Sequence, residues 1–147
     1  MSVLAWVMAH AVRQIHGQSA TIAWGDRLTA LTRPCEPPDQ VPLLTTDQGT
    51  AVLPEAIRVL DGALELAAGH GARLLVIASD GHLNDHDQHD AVRDLLARLD
   101  RAGCTVLQLC LDSAARVLPH ARPVDASDPA TAAQAIGQAA IDALRHA

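Results

Sequence analysis

The sequence contains no lysine, tyrosine or phenylalanine, and it has only three cysteines. Every basic side chain apart from histidine is therefore arginine, which we interpret as the mark of a GC-rich genome and not of function. The cysteines, Cys35, Cys104 and Cys110, are too few and too scattered for a disulfide framework or a CxxC metal site. We expect Cys104 and Cys110 to be buried free thiols. Free thiols favour, weakly, a reducing cytoplasmic location.

Long apolar runs and basic clusters are also missing. No apolar run approaches the roughly 20 residues that a membrane-spanning helix needs, and no basic segment precedes an apolar core at the start, so neither a membrane anchor nor a signal peptide is predicted. The net charge of −6, without a basic cluster, argues against a nucleic-acid partner. The chain is 49% hydrophobic, which is enough for a core. Its length predicts a single domain over residues 1–147.

The stretch that organises the chain is residues 73–85. Within it, Leu74–Ser79 is an unbroken apolar run of strand length, stopped by Asp80 and Gly81. This pattern is typical of a central parallel strand that is covered on both faces. In open α/β sheets, ligands bind beyond the carboxyl ends of such strands. Asp80 is therefore the first candidate functional residue.

Helical and strand patterns alternate through the rest of the chain. Helices are predicted at residues 3–16, 53–67, 88–102 and 129–146, and further strands at residues 20–24, 28–32, 105–111 and 124–126. Gly17 is predicted as the C-cap of the first helix, and Pro54 is tolerated in the first turn of the second. Asp128 is predicted as the N-cap of the last helix, with Pro129 at its first position. Gly25-Asp26 joins the first two of these strands as a tight hairpin. The order predicts an α/β fold: a three-layer, Rossmann-like, doubly wound and mostly parallel sheet with an antiparallel strand at one edge.

Two short motifs stand in positions that suggest a family. Gly49-Thr50 precedes an Ala- and Leu-rich helix, and Ser79-Asp80-Gly81 follows a strand and is followed by Asn84-Asp85. From residue 3 to about residue 143, the chain resembles a von Willebrand factor A (VWA) domain of the intracellular bacterial kind. In that family a Gly-Thr step and an Asp-Gly pair belong to the metal-ion-dependent adhesion site. The resemblance implies that Thr50 and Asp80 are metal ligands.

The third piece of that adhesion site, an Asp-x-Ser-x-Ser turn, occurs nowhere in the sequence. Met1 falls where the family's motif often ends in Met, so we expect the first strand and its turn to be missing: through a late start site, a gene fragment or a natural variant. In the family this strand lies beside Leu74–Ser79. We therefore expect a chain that is marginally stable, closes its sheet, or borrows a strand as a homodimer.

The resemblance implies a non-enzymatic protein-binding or scaffold module. A hard cation such as Mg²⁺ or Mn²⁺ takes about six oxygen ligands and keeps several waters. Hydroxyl, carboxylate and water oxygens supply this shell, and in the family an acidic side chain of the partner completes it. With only Thr50 and Asp80 as ligands, the site is expected to be weak. An AAA+ ATPase is a partner that such bacterial domains often have.

Each motif also has a simpler interpretation. Thr50 suits the N-cap of the following helix, and Asp80-Gly81 suits a turn that ends a strand. A second class of function is a small flavodoxin-like hydrolase or nucleotide-binding domain. A nucleotide-binding domain of this kind would be favoured by a Gly-rich phosphate loop, and this sequence has none: Gly69 and Gly71 precede a strand and not a helix.

Residues 82–90 are rich in histidine and aspartate. The spacing of His82 and His86, or of His86 and His89, fits one face of a helix and could hold Zn²⁺. No third ligand is evident and the segment is not a His-Glu-x-x-His motif. A solvated polar loop before a helix, with Asp side chains favoured by the helix dipole, is the alternative.

Overall fold

The computed structural model describes residues 2–25, 27–36, 41, 52–79, 86–111 and 115–145. The chain divides into two compact units, Met1–Glu65 and Leu66–Ala147. Each unit has its own β-sheet. The single domain that the chain length predicts stays a prediction.

The first unit contains two helices and an antiparallel strand pair. These elements are α1 (Ser2–Gln14), β1 (Thr21–Trp24), β2 (Leu28–Thr32) and α2 (Leu53–Leu64). β1 and β2 pair in antiparallel fashion with Trp24 opposite Leu28, which confirms the predicted hairpin. Helix α2 packs on β1, and Pro54 lies in its first turn, as predicted, where no intrahelical N–H donor is required.

The ends of the two helices differ from the sequence prediction. His16, and not Gly17, takes the left-handed conformation after α1, with φ of 57°. Position 17 needs glycine for a different reason: a Cβ there would lie only 2.7 Å from Cγ1 of Val12, which is closer than two carbon atoms can pack. Helix α2 stops at Leu64, with Glu65 left-handed at its C-cap. The apolar periodicity that predicted helix to residue 67 continues past this stop.

The second unit is a parallel α/β structure. Its elements are β3 (Leu74–Ser79), α3 (His86–Arg101), β4 (Thr105–Cys110), β5 (Arg122–Asp125) and α4 (Pro129–Arg145). The three strands pair in parallel in the order β3-β4-β5. The predicted α/β class is confirmed, and the arrangement is compatible with a Rossmann-like fold. The hairpin forms a separate sheet, so one continuous sheet with the hairpin at its edge is not found among the described residues.

Strand β4, and not β3, is central in the parallel sheet. Its residues 106–109 are all buried, which shows that both of its faces are covered. Strand β3 lies at one end of the described sheet, and its side chains alternate between buried and half-buried. The prediction of a central β3 was wrong because an unbroken apolar run does not distinguish a central strand from an edge strand.

The core of the second unit forms between β4 and the helices α3 and α4, both of which contact it. Each of the two helices has one face of buried apolar residues. Their buried residues are Val92, Leu96 and Leu99 on α3 and Ala132, Ile136 and Ala139 on α4. No helix within the described ranges is both long enough and apolar enough to cross a membrane.

One polar side chain lies fully inside this core. Gln108 on β4 is 0% exposed. Its Nε2 donates to the carbonyl of Arg116 at 2.9 Å, and its Oε1 accepts from the backbone N–H of Leu118 at 2.7 Å. A buried amide is tolerated only when its hydrogen bonds are satisfied. Gln108 therefore holds the irregular segment after β4 against the core.

Helix α4 begins with the predicted cap, Asp128 followed by Pro129. The Asp128 carboxylate accepts hydrogen bonds from the backbone N–H of Thr131 at 3.0 Å and from its hydroxyl at 2.6 Å. It also accepts from the N–H of Ala130 at 3.3 Å. The Thr131 hydroxyl, followed by the N–H groups of Thr131 and Ala130, lowers the pKa of Asp128 below its ordinary value of 3.8.

Acid is expected to weaken this helix start. Because the folded pKa of Asp128 is lowered, its stabilisation is complete above 3.8 and is lost as the pH falls through the lower folded value. Asp128→Asn keeps a capping oxygen but has no charge to lose. Thermal unfolding followed by circular dichroism should show a smaller loss of stability in the variant between about pH 6 and about pH 2.5. Equal losses of stability in the parent and in Asp128→Asn would contradict the role of the Asp128 charge at this helix start.

Candidate functional site

Three residues with polar side chains lie side by side at the carboxyl edge of the parallel sheet. The register pairs Ser79, the last residue of β3, with Cys110 of β4, and pairs Cys110 with Asp125 of β5. Ser79 is buried, Cys110 is half-buried and Asp125 is exposed. This is the edge at which open α/β sheets bind ligands, and it is the edge predicted from the sequence.

The two predicted metal ligands, Thr50 and Asp80, lie outside the described residues, as does Asp85. The structure places their neighbours in the chain. Asp80 directly follows Ser79 at the carboxyl end of β3, and Thr50 precedes α2. The N-cap of α2 is Val52, without a side-chain cap hydrogen bond. The simpler interpretation of Thr50 as the N-cap of this helix is therefore wrong, because the N-cap lies two residues later.

Gln88 is a candidate that the sequence analysis did not single out. It lies in the first turn of α3, the helix that follows residues 80–85. Its Oε1 is buried and has no hydrogen-bond partner among the described residues. A buried acceptor of this kind calls for a water or an ion, and amide oxygens are among the ligands that hard cations accept. In the sequence, the position of this amide directly after the acidic segment 80–87 is the one feature that could have indicated a role for Gln88.

Asp125 is held by the loop that follows β5. Its Oδ1 accepts from the backbone N–H of Ser127 at 2.9 Å. This bond, followed by one from the Ser127 hydroxyl, lowers the pKa of Asp125 below its ordinary value of 3.8. Asp125 is therefore ionised at neutral pH and adds negative charge to the carboxyl edge.

The thiol at this edge does not fit a hard cation. All three cysteines are free. Cys104 is buried, as predicted, whereas Cys110 is only half-buried. Sγ of Cys110 lies 3.9 Å from the carbonyl oxygen of Gln108, within its own strand. Thiols are soft ligands, whereas Mg²⁺ and Mn²⁺ prefer oxygen. Among the described residues, the side chains with oxygen at this edge are Ser79, at the end of β3, and Asp125, at the end of β5. Gln88 follows residues 80–85 in the chain.

Within the described ranges, no three His, Cys, Asp or Glu side chains gather as a metal-binding group. Of the histidines considered for zinc, His82 and the side chain of His86 lie outside what the structure describes, and His89 is half-buried on α3. Both metal predictions therefore stay predictions.

Comparison of the chain with protein-family models, with curated proteins and with solved structures finds no match.

Proposed function

We propose that this chain is a non-enzymatic protein-binding module of the VWA type, in which Thr50 and Asp80 form a partial metal-ion-dependent adhesion site for Mg²⁺ or Mn²⁺. One observation carries the proposal: β3 ends at Ser79, at the carboxyl edge of a parallel sheet, immediately before Asp80. The buried Oε1 of Gln88, which has no hydrogen-bond partner among the described residues and follows residues 80–85 in the chain, supports it. The site would therefore have oxygen donors on both sides of residues 80–85.

The chemistry of this donor set is binding and not catalysis. Hydroxyl and amide oxygens are neutral, so of the proposed ligands Thr50 and Asp80 the carboxylate of Asp80 would offset the charge of a bound divalent cation. The ionised Asp125 at the same edge would add attraction without being one of these ligands. A carboxylate from another protein would complete the shell and neutralise the remaining charge. The donors include no activated nucleophile paired with a base. We therefore propose an acidic side chain on a protein partner as the ligand of this edge.

An AAA+ ATPase is the partner class that the VWA resemblance offers, and it is proposed on that analogy alone. The free thiols of Cys35, Cys104 and Cys110 support a reducing, cytoplasmic location. The net charge of −6 supports a partner other than nucleic acid.

Mg²⁺ is expected to stabilise the folded chain. A site with a dissociation constant of about 1 mM adds about 1.4 kcal/mol to the free energy of unfolding at about 10 mM Mg²⁺. This corresponds to a rise of about 3–6 °C in the unfolding midpoint. Differential scanning calorimetry of the parent chain and of the double variant Thr50→Ala/Asp80→Ala should show the rise only in the parent.

The matched control is Thr29→Ala/Asp94→Ala, which also removes one hydroxyl and one carboxylate. Both residues are exposed, Thr29 on β2 and Asp94 on α3, so this variant should keep the full Mg²⁺ effect. A parent chain that does not respond to Mg²⁺, or a response that survives in Thr50→Ala/Asp80→Ala, would contradict the proposed site.

A further inference from the structure

An open cleft of about 510 Å³ lies in the second unit, at the amino ends of the parallel strands. Arg73 precedes β3, Thr105 begins β4 and Arg122 begins β5, and all three line the cleft. Asp142 of α4 contributes to another wall. Because β3 rises by about 3.3 Å per residue, its amino end lies about 17 Å from its carboxyl end. The cleft is therefore distinct from the proposed cation site.

The guanidinium of Arg73 is fixed at the cleft by three backbone carbonyls. Nε donates to Gly71 at 3.2 Å, Nη1 to Leu66 at 3.1 Å and Nη2 to Ala102 at 2.6 Å. A guanidinium carries five N–H donors, so two remain, one on each terminal nitrogen. A rigid fork with unused donors is suited to bind an oxyanion, because little side-chain freedom is lost on binding.

Charge in the cleft favours an anion, although the chain as a whole is acidic. Arg122 is exposed and makes no side-chain hydrogen bond or ion pair in the described part of the chain. The one carboxylate of the lining, Asp142, already accepts from Nε2 of Gln138 at 2.8 Å and lies 3.9 Å from Nη1 of Arg145. The described lining therefore contains two guanidinium groups and one carboxylate that has its own cationic neighbour.

We propose that this cleft binds a phosphate group, either free or esterified to a small molecule. A carboxylate has two oxygens, both of which a single arginine fork can engage. A phosphate has at least three terminal oxygens and can accept from Arg73 and from Arg122 together. The volume exceeds that of a phosphate group and lies within the range of small-molecule sites. The small side chains of Ala139 and Ala143 leave room for the rest of a phosphate ester.

The test is a titration of the ¹⁵N-labelled chain with inorganic phosphate, ribose 5-phosphate and acetate at constant ionic strength, followed by the amide signals of Gly103 and Thr105. Both phosphates should give saturable shifts. Arg122→Gln should weaken them about tenfold, because a charge-assisted hydrogen bond is lost. Arg93→Gln is the matched control. Arg93 is exposed on α3 and paired with Asp90 and Asp94, so this variant should bind phosphate like the parent.

Tighter binding of ribose 5-phosphate would identify an esterified ligand, and equal binding would identify the free ion. The proposal is overturned if neither phosphate gives a saturable shift, if acetate binds as tightly, or if Arg93→Gln weakens binding as much as Arg122→Gln. Arg122→Gln should leave the Mg²⁺ response unchanged. Failure at this cleft is thereby distinguishable from failure of the proposed cation site.

Discussion

Leu107→Ala is expected to lower the free energy of unfolding by about 3 kcal/mol, which corresponds to a fall of about 6–12 °C in the midpoint. Leu107 is 0% exposed on the central strand β4, which both α3 and α4 contact. Strands pair with β4 on both sides, so the backbone there has little freedom to close the cavity. The lost burial and the remaining cavity both contribute to the cost.

This effect should be measured by urea denaturation followed by circular dichroism. Both tryptophans, Trp6 and Trp24, lie in the other unit, so their fluorescence reports on residues 1–65 and not directly on this core. The control is Leu144→Ala on α4. Leu144 is 55% exposed, and its truncation should change the free energy of unfolding by less than about 0.5 kcal/mol. Similar losses in both variants would contradict the central position of β4.

Gln108→Leu is expected to cost about 2–4 kcal/mol, although leucine is the more apolar residue. The substitution leaves the N–H of Leu118 and the carbonyl of Arg116 without the partners that Gln108 gives them. Each unsatisfied backbone group costs about 1–3 kcal/mol, so the loss at the two groups together exceeds the gain from a more apolar side chain. The segment that Gln108 holds should open before the rest of the unit unfolds.

Hydrogen exchange tests this second prediction residue by residue. The amide of Leu118 should exchange faster in Gln108→Leu by more than the amides of β4 do. Gln138→Leu is the matched control, because in the described part of the chain the Gln138 side chain bonds to Asp142 on the same helix and to no other residue. It should leave the protection of Leu118 unchanged. Full protection of Leu118 in Gln108→Leu would show that the side-chain bond does not hold this segment.

The order of elements could be read from the sequence because local signals mark it. The alternation of strands with helices gave the α/β class, Gly25-Asp26 the hairpin, and Asp128-Pro129 the start of α4. Each signal depends on residues close together in the chain. Helix α3 begins two residues earlier than predicted and β5 two residues earlier as well. Neither change alters the architecture.

Features that depend on distant partners could not be read from the sequence. The apolar run of β3 predicts burial but does not show which strands lie beside it. Gln108 lies in a strand pattern. Its hydrogen-bond partners belong to a later segment that has no hydrophobic periodicity, so the sequence does not predict the contact. At the candidate site, the position of Asp80 after β3 was predictable. The buried oxygen of Gln88, which has no hydrogen-bond partner among the described residues, depends on the packing around α3 and was not predictable.

The central claim, a cation site at the carboxyl edge of the parallel sheet, is tested most directly by where Mn²⁺ binds. Bound Mn²⁺ broadens nearby amide signals, and the effect falls steeply with distance. At substoichiometric Mn²⁺, the signals of Ser79 and Gln88 should disappear first, while those of Leu74 and Thr105 at the amino end should remain. The Thr50→Ala/Asp80→Ala variant should keep all four signals. Broadening spread evenly over the acidic surface, or centred on Leu74 and Thr105, would contradict the claim.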